Sequence, residues 1–166
     1  MTRTEFLGVL AIVGIIIALS LRNFETSQVR SRDEQRKNNA TNLVHALERY
    51  HGDFGVFPLS TPDGRLIACG EPDKLTPCEW GRSKFVDLKN PGIIYMDPIP
   101  FDPRQGQGIS LRYISNGSQF QILTHLEHPG DPALSNIVKS WGLDCGELKC
   151  NYGVTGSLKP VTERIK

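Results

Sequence analysis

Sixteen consecutive uncharged residues, Phe6 to Leu21, follow directly on an acidic one, Glu5, and thirteen of the sixteen are apolar. An ordinary surface helix is apolar on one stripe only, so a segment greasy on every side must be buried in something. As a helix it is about 24 Å long, a little short of the ~30 Å hydrocarbon core of a bilayer. A cleavable export signal carries a basic stretch ahead of its apolar run. Here Arg3 is joined by Glu5, and helical character continues past Ala18-Leu19-Ser20, a weak imitation of a cut site. A permanent membrane anchor leaves Glu5 unexplained, because an ionised carboxylate at the hydrocarbon edge is unfavourable unless paired. A helix that rests in lipid for a time, and whose Glu5 meets a cation elsewhere, accommodates both features.

No proline or glycine interrupts the chain between Leu21 and Gly52. Ala40, Leu43, Val44, Leu47 and Tyr50 repeat at helical spacing and mark one face. Asp33 and Lys37, in the favourable acid-before-base spacing of four, are expected on the opposite, solvated face. Gly52 and Gly55 close the pattern. The expectation is one helix from residue 1 to about 52, roughly 78 Å long. It divides into a hydrophobic stretch, 1–24, and an amphipathic stretch, 25–52, that packs on a globular head, 53–166. The chain holds 19 basic and 18 acidic residues for a net charge of +1. That balance argues against a nucleic-acid grip built on a positive field, and against a polyanionic tail.

Met1-Thr2-Arg3-Thr4-Glu5-Phe6-Leu7-Gly8 and the apolar run behind it resemble the mature N-terminus of type IV pilins and type II secretion pseudopilins. Further likeness lies in Arg32 to Lys37, Ala46 to Tyr50, Gly55-Val56-Phe57-Pro58 and the Asp-Pro segment Tyr95 to Pro103. The resemblance implies an α+β pilin fold, one long N-terminal helix packed against a small antiparallel sheet. It implies cleavage by a prepilin peptidase just before Met1 and methylation of the new amine, the numbering then being that of the mature chain. It also implies that Glu5 pairs with the Met1 amine of a neighbouring copy during assembly. Phe6, Leu7, Val9, Leu10, Ile12, Val13, Ile16 and Ile17 are then the helix of the filament core. Arg3 and Arg22 depart from the family, the first from an apolar residue and the second from a frequent proline.

In the head, Ile109 to Ser115 and Ser118 to Leu126 flank Asn116-Gly117, which predicts a hairpin with a two-residue turn. Ile109, Leu111 and Tyr113 fall on one face, with Phe120, Ile122, Thr124 and Leu126 on a matching one that covers the helix stripe. Prolines 98, 100 and 103 make residues 97–103 a connector. A third strand is expected near Tyr152 to Thr155, and Ile137 to Trp141 reads as strand or short helix. Cys69, Cys78, Cys145 and Cys150 allow three pairings. Cys69–Cys78 and Cys145–Cys150 are favoured because each closes a short loop. A zinc site lacks any Cys-x-x-Cys spacing, and buried free thiols are the remaining reading.

Catalytic signatures are absent: there is no phosphate loop, His-Glu-x-x-His pair or Gly-x-Ser-x-Gly elbow. No enzyme activity, cofactor or metal is therefore expected. His45, His51, His125 and His128 are scattered and read as surface residues. Asp97, Asp102 and Asp131 are candidate calcium carboxylates, but the twelve-residue loop with its central glycine is missing. Asn39-Ala40-Thr41 and Asn116-Gly117-Ser118 match the N-glycosylation pattern. The basic residues near 30–37 are interleaved with acids and read as a solvated helix face rather than a DNA contact.

The leading expectation is a filament subunit: a homopolymer of identical chains, held in the cytoplasmic membrane before assembly and extracellular afterwards, served by pilus assembly machinery. A periplasmic secretion pseudopilin is the alternative within the same fold. A membrane-anchored monomeric binding module is the alternative of another class.

Overall fold

The computed structural model describes residues 3–165 and, in the first helix, excludes the side chains of Arg3, Phe6, Val9, Ala11 and residues 18–23. The chain opens in α1 (Arg3–Phe54), 52 residues without a break. It runs slightly past its expected end. Gly52 is still helical, and Gly55 terminates the helix at φ 71°, donating its N–H to His51 O at 2.7 Å. A positive φ at that closing position is where glycine carries no Cβ penalty.

The rest is α+β: short antiparallel strands with one further short helix. In chain order these are β1 (Leu59–Ser60), β2 (Leu66–Glu71), β3 (Lys74–Pro77), β4 (Phe85–Val86), β5 (Ile94–Met96), β6 (Arg112–Ser115), β7 (Phe120–Thr124), α2 (Asn136–Ser140), β8 (Asp144–Cys145), β9 (Leu148–Lys149) and β10 (Tyr152–Val154). Instead of the single expected sheet there are four small ones among the described residues: β1-β2-β3, β10-β7-β6, β4-β5 and β8-β9. Prolines at 58, 62, 72, 77, 98, 100 and 103 each withhold a ladder donor and break pairing into small units.

The second half of α1 is bound to the head as its apolar stripe demands. Ala40, Leu43, Val44 and Leu47 are fully buried in one cluster with Leu66, Phe85, Tyr113, Phe120 and Ile122. At its lower end Tyr50 meets Phe85 and Tyr95 with ring centroids 5.2 and 5.4 Å apart. Leu123 belongs to a second cluster with Val138, Cys145, Cys150 and Val161. Strand β7 is therefore covered on both faces, and the alternation expected from its sequence fails at Gln121 and Leu123, which are buried too.

The β6–β7 hairpin forms, with its tip one residue later than expected. Ser115 pairs with Phe120, Asn116 N donates to Gln119 O, and only Gly117 takes positive φ, at 88°. Asn116 contributes its side chain instead, its Oδ1 accepting from the N–H groups of Ser118 and Gln119, a role asparagine fills in turns. Because each strand keeps its parity, Leu111, Tyr113, Phe120 and Ile122 still face the core.

Both short-loop disulfides are present, Cys69–Cys78 and Cys145–Cys150, nine and five residues apart. Each staples a hairpin not read from the sequence, β2–β3 and β8–β9. The strand near residue 152 is β10, beside β7. Residues 136–140 are helical, because Ser135 Oγ caps them by accepting from Val138 N at 3.2 Å. The Asp-Pro segment holds no strand between 97 and 103, yet it is more than a connector, since Ile99 and Asp102 are buried.

Candidate functional site: the two halves of the long helix

The first half of α1 stands out by what surrounds it. Leu7, Leu10, Ile12, Val13, Ile15, Ile16 and Ile17 are between 44% and 64% exposed. Stepped at roughly 100° per residue, those positions lie on all sides of the helix rather than on one stripe. Glu5 sits in the first turn of the same helix and is exposed. Phe6 and Val9 lie on that helix with side chains outside the described ones, and Met1 lies outside the described residues. Among the described residues no helix is long and apolar enough to cross a membrane.

Where the apolar stripe of the second half runs out, it passes into buried charge. Arg36 is fully buried, and its guanidinium donates to both oxygens of Asp102 at 2.7 and 3.0 Å. Its Nη1 donates to Asp33 Oδ1 at 2.8 Å and to Glu127 Oε1 at 2.7 Å. Arg32 grips Glu127 through two bonds of 2.9 and 2.7 Å, and Arg104 adds a third at 2.8 Å. Asp33 also accepts the backbone N–H groups of Glu127 and His128, and Asp102 that of Arg104. Three guanidiniums and three carboxylates thus balance inside the molecule, joining α1 to the Asp-Pro segment and to the chain leaving β7.

The electrostatics follow from that geometry. Burial alone pushes the Arg36 guanidinium down, but its bonds to Asp102, Glu127 and Asp33 outweigh burial and hold it above its ordinary value. The Arg32 hydrogen bonds act most strongly on Glu127; with Arg36 and Arg104 they overcome burial and hold its carboxyl at about 2. The arrangement offers no nucleophile and no free base. It is a clamp.

This corrects the reading of residues 30–37 as a solvated face. Asp33 is buried and pairs with Arg36 at i+3, not with Lys37, while Lys37 bridges Glu34 and Asp131. The reason is geometric: Asp33 and Arg36 lie seven and four residues before Ala40, on the face that is buried. That heptad spacing was the available signal. Asp102 and Glu127 sent none, because only the folded chain brings them to Arg36.

The three carboxylates considered for calcium are not brought together. Asp97 pairs with Lys84, Asp102 with Arg36 and Asp131 with Lys37. Among the described residues no group of three or more His, Cys, Asp or Glu is placed to hold a metal. His45 is exposed near Glu48, His51 stacks on Phe57, and His125 Nδ1 lies 2.7 Å from Lys149 O. His128 gives its backbone N–H to Asp33, and its carbonyl accepts from Asp131 N at 3.1 Å. Asn39 donates its amide to Phe101 O at 2.8 Å, and Asn116 forms the hairpin tip. Comparison with protein-family models, curated proteins and solved structures finds no match to this chain.

Proposed function

We propose that the chain is the structural subunit of a type IV pilus-like filament, assembled through the first half of α1. One observation carries the reading: seven large apolar side chains, exposed around the full circumference of a helix whose continuation is packed into a head. Burying a side chain of this kind is worth ~1.5–3 kcal/mol, so water is the wrong surrounding for the set. Lipid or a bundle of like helices is the right one.

The segment waits in the cytoplasmic membrane and then moves into a bundle of identical helices. At about 24 Å it underfills the bilayer, which thins around it, a shallow seat suited to departure. Lipid is as apolar as the bundle, so assembly is driven by close packing and by a charge pair rather than by the hydrophobic effect. Glu5 supplies the carboxylate of that pair and the Met1 amine of a neighbouring copy the cation, each lowering the desolvation penalty of the other. The arginine–carboxylate clamp fixes the head on its helix, so that every entering subunit presents the same outer face. A prepilin peptidase, which frees and methylates the Met1 amine, and an assembly platform are the implied partners.

The test is Glu5→Ala in the producing cell, read by electron microscopy of sheared surface material and by thermal unfolding of the extracted chain. The expected result is loss of filaments with an unchanged head transition. Undiminished filament yield removes the charge pair from the account. Filaments confined to the periplasm in the unsubstituted strain favour the secretion pseudopilin instead.

A further inference from the structure

The chain holds two Asn-x-Ser/Thr triplets, and the fold treats them oppositely. Asn39 lies within α1, half-buried, its amide committed to Phe101 O at 2.8 Å. Ala40, the middle residue of that triplet, is fully buried. A helix packed on its own head offers no turn of chain for another protein to grasp. Asn116 stands instead at the tip of the β6–β7 hairpin. Asn116 and Ser118 are both exposed there, and Gly117 between them is half-buried.

Gly117 is the residue that docks. Its carbonyl accepts from Phe57 N at 2.8 Å, and a Cβ added to it would stand 3.7 Å from the Leu59 side chain. With the middle residue held against the head, its two neighbours are left on the surface. The Asn116 amide is used at one end only. Its Oδ1 accepts from Ser118 N at 3.1 Å and from Gln119 N at 3.0 Å, which makes an Asx turn. Among the described residues neither Asn116 Nδ2 nor the Ser118 hydroxyl makes a hydrogen bond. Tying down Oδ1 fixes the plane of the amide and so holds Nδ2 in one place. Two donors on Oδ1 also draw electron density toward the oxygen, which makes an Nδ2 proton easier to lose.

We infer that Asn116 is an N-glycosylation site of this chain, with Ser118 supplying the hydroxyl by which a transferase recognises it. The donor is a saccharide joined through its anomeric carbon to a lipid diphosphate. Asn116 Nδ2 forms the new bond to that carbon and gives up one proton to a base of the transferase. The bond from the carbon to the diphosphate oxygen breaks, and its electron pair leaves with the lipid diphosphate. A tight surface turn in an exported head is the setting such a modification takes, and the two disulfides agree with an oxidising compartment. The inference goes beyond the filament reading and needs export of the head but not polymerisation.

The experiment takes the full chain from the producing cell and maps it by glycopeptide mass spectrometry, with fragmentation that leaves the sugar on its residue. The expected result is a saccharide on Asn116, with Asn39 unmodified. Ser118→Ala removes the hydroxyl yet keeps the backbone N–H that Asn116 Oδ1 accepts. It is expected to abolish the modification with the thermal transition of the head unchanged, and Ser118→Thr is expected to retain it. Asn116→Gln is expected to abolish it as well. Asn116 found unmodified or merely deamidated overturns the inference, as does a saccharide placed on Ser118 or persisting in Ser118→Ala. Filament yield is scored separately, so an unmodified subunit that still polymerises removes this inference alone.

Discussion

Replacing Arg36 by methionine tests whether the clamp holds the head to its helix. The substitution keeps an unbranched apolar chain about as long as the Arg36 stem and removes the guanidinium, with its four bonds to Asp33, Asp102 and Glu127. The three carboxylates do not suffer equally. Glu127 retains Arg32 and Arg104, and Asp33 retains two backbone donors. Among the described residues Asp102, 1% exposed, retains the N–H of Arg104 alone. Removing one partner of a buried pair in this way costs about 3–5 kcal/mol, chiefly through the charge left behind. For a chain of 166 residues each kcal/mol corresponds to roughly 2–4 °C in Tm, so the head transition falls by about 6–20 °C. Near-UV circular dichroism of the detergent-held chain reads that transition through the head's aromatic residues. Because the cost resides on Asp102, the double variant Arg36→Met/Asp102→Leu is expected to regain more than half of the loss. A drop of less than about 2 °C in the single variant, or a double variant no better than the single one, refutes the reasoning.

Acid acts on the same cluster. The Glu127 carboxyl is held at about 2 against an ordinary 4.5, so its contribution is complete above pH 4.5 and disappears as pH falls through 2. The Tm advantage of the native chain over Glu127→Gln is accordingly expected to shrink across that window, measured in parallel melts. Thr124 is fully buried with an unpartnered hydroxyl, so Thr124→Val should stabilise the head by about 1 kcal/mol in denaturant titration. Partial reduction followed by alkylation and peptide mass spectrometry should open Cys69–Cys78 before Cys145–Cys150. Cys69 is half-buried, whereas both sulfurs of the second bridge are sealed.

Elements governed by local rules were readable in the sequence, and elements governed by distant contacts were not. The long helix and its stripe at Ala40, Leu43, Val44 and Leu47 follow from spacing alone. The β6–β7 hairpin follows from its turn dipeptide, although the side chain of Asn116 moved the tip by one residue. The pairing of four cysteines into two short loops was equally accessible. The β2–β3 hairpin was hidden because glycine and proline are poor strand residues, whereas here Gly70 pairs with Leu75 inside the stapled ribbon and Pro72 sits in its turn. The clamp was hidden for a deeper reason. Arginine and aspartate on a helix are usually solvated, and their burial here depends on carboxylates 66 and 91 residues further along the chain.

The claim that the first half of α1 ends among copies of itself is tested most directly by a photo-crosslinker at Ile12, installed in the producing cell. Ile12 is 60% exposed in the single chain. The account predicts a ladder of covalent dimers and higher multimers of this chain on illumination, abolished by Glu5→Ala. Crosslinks to lipid alone, with no chain-to-chain product in material recovered from the cell surface, would contradict it.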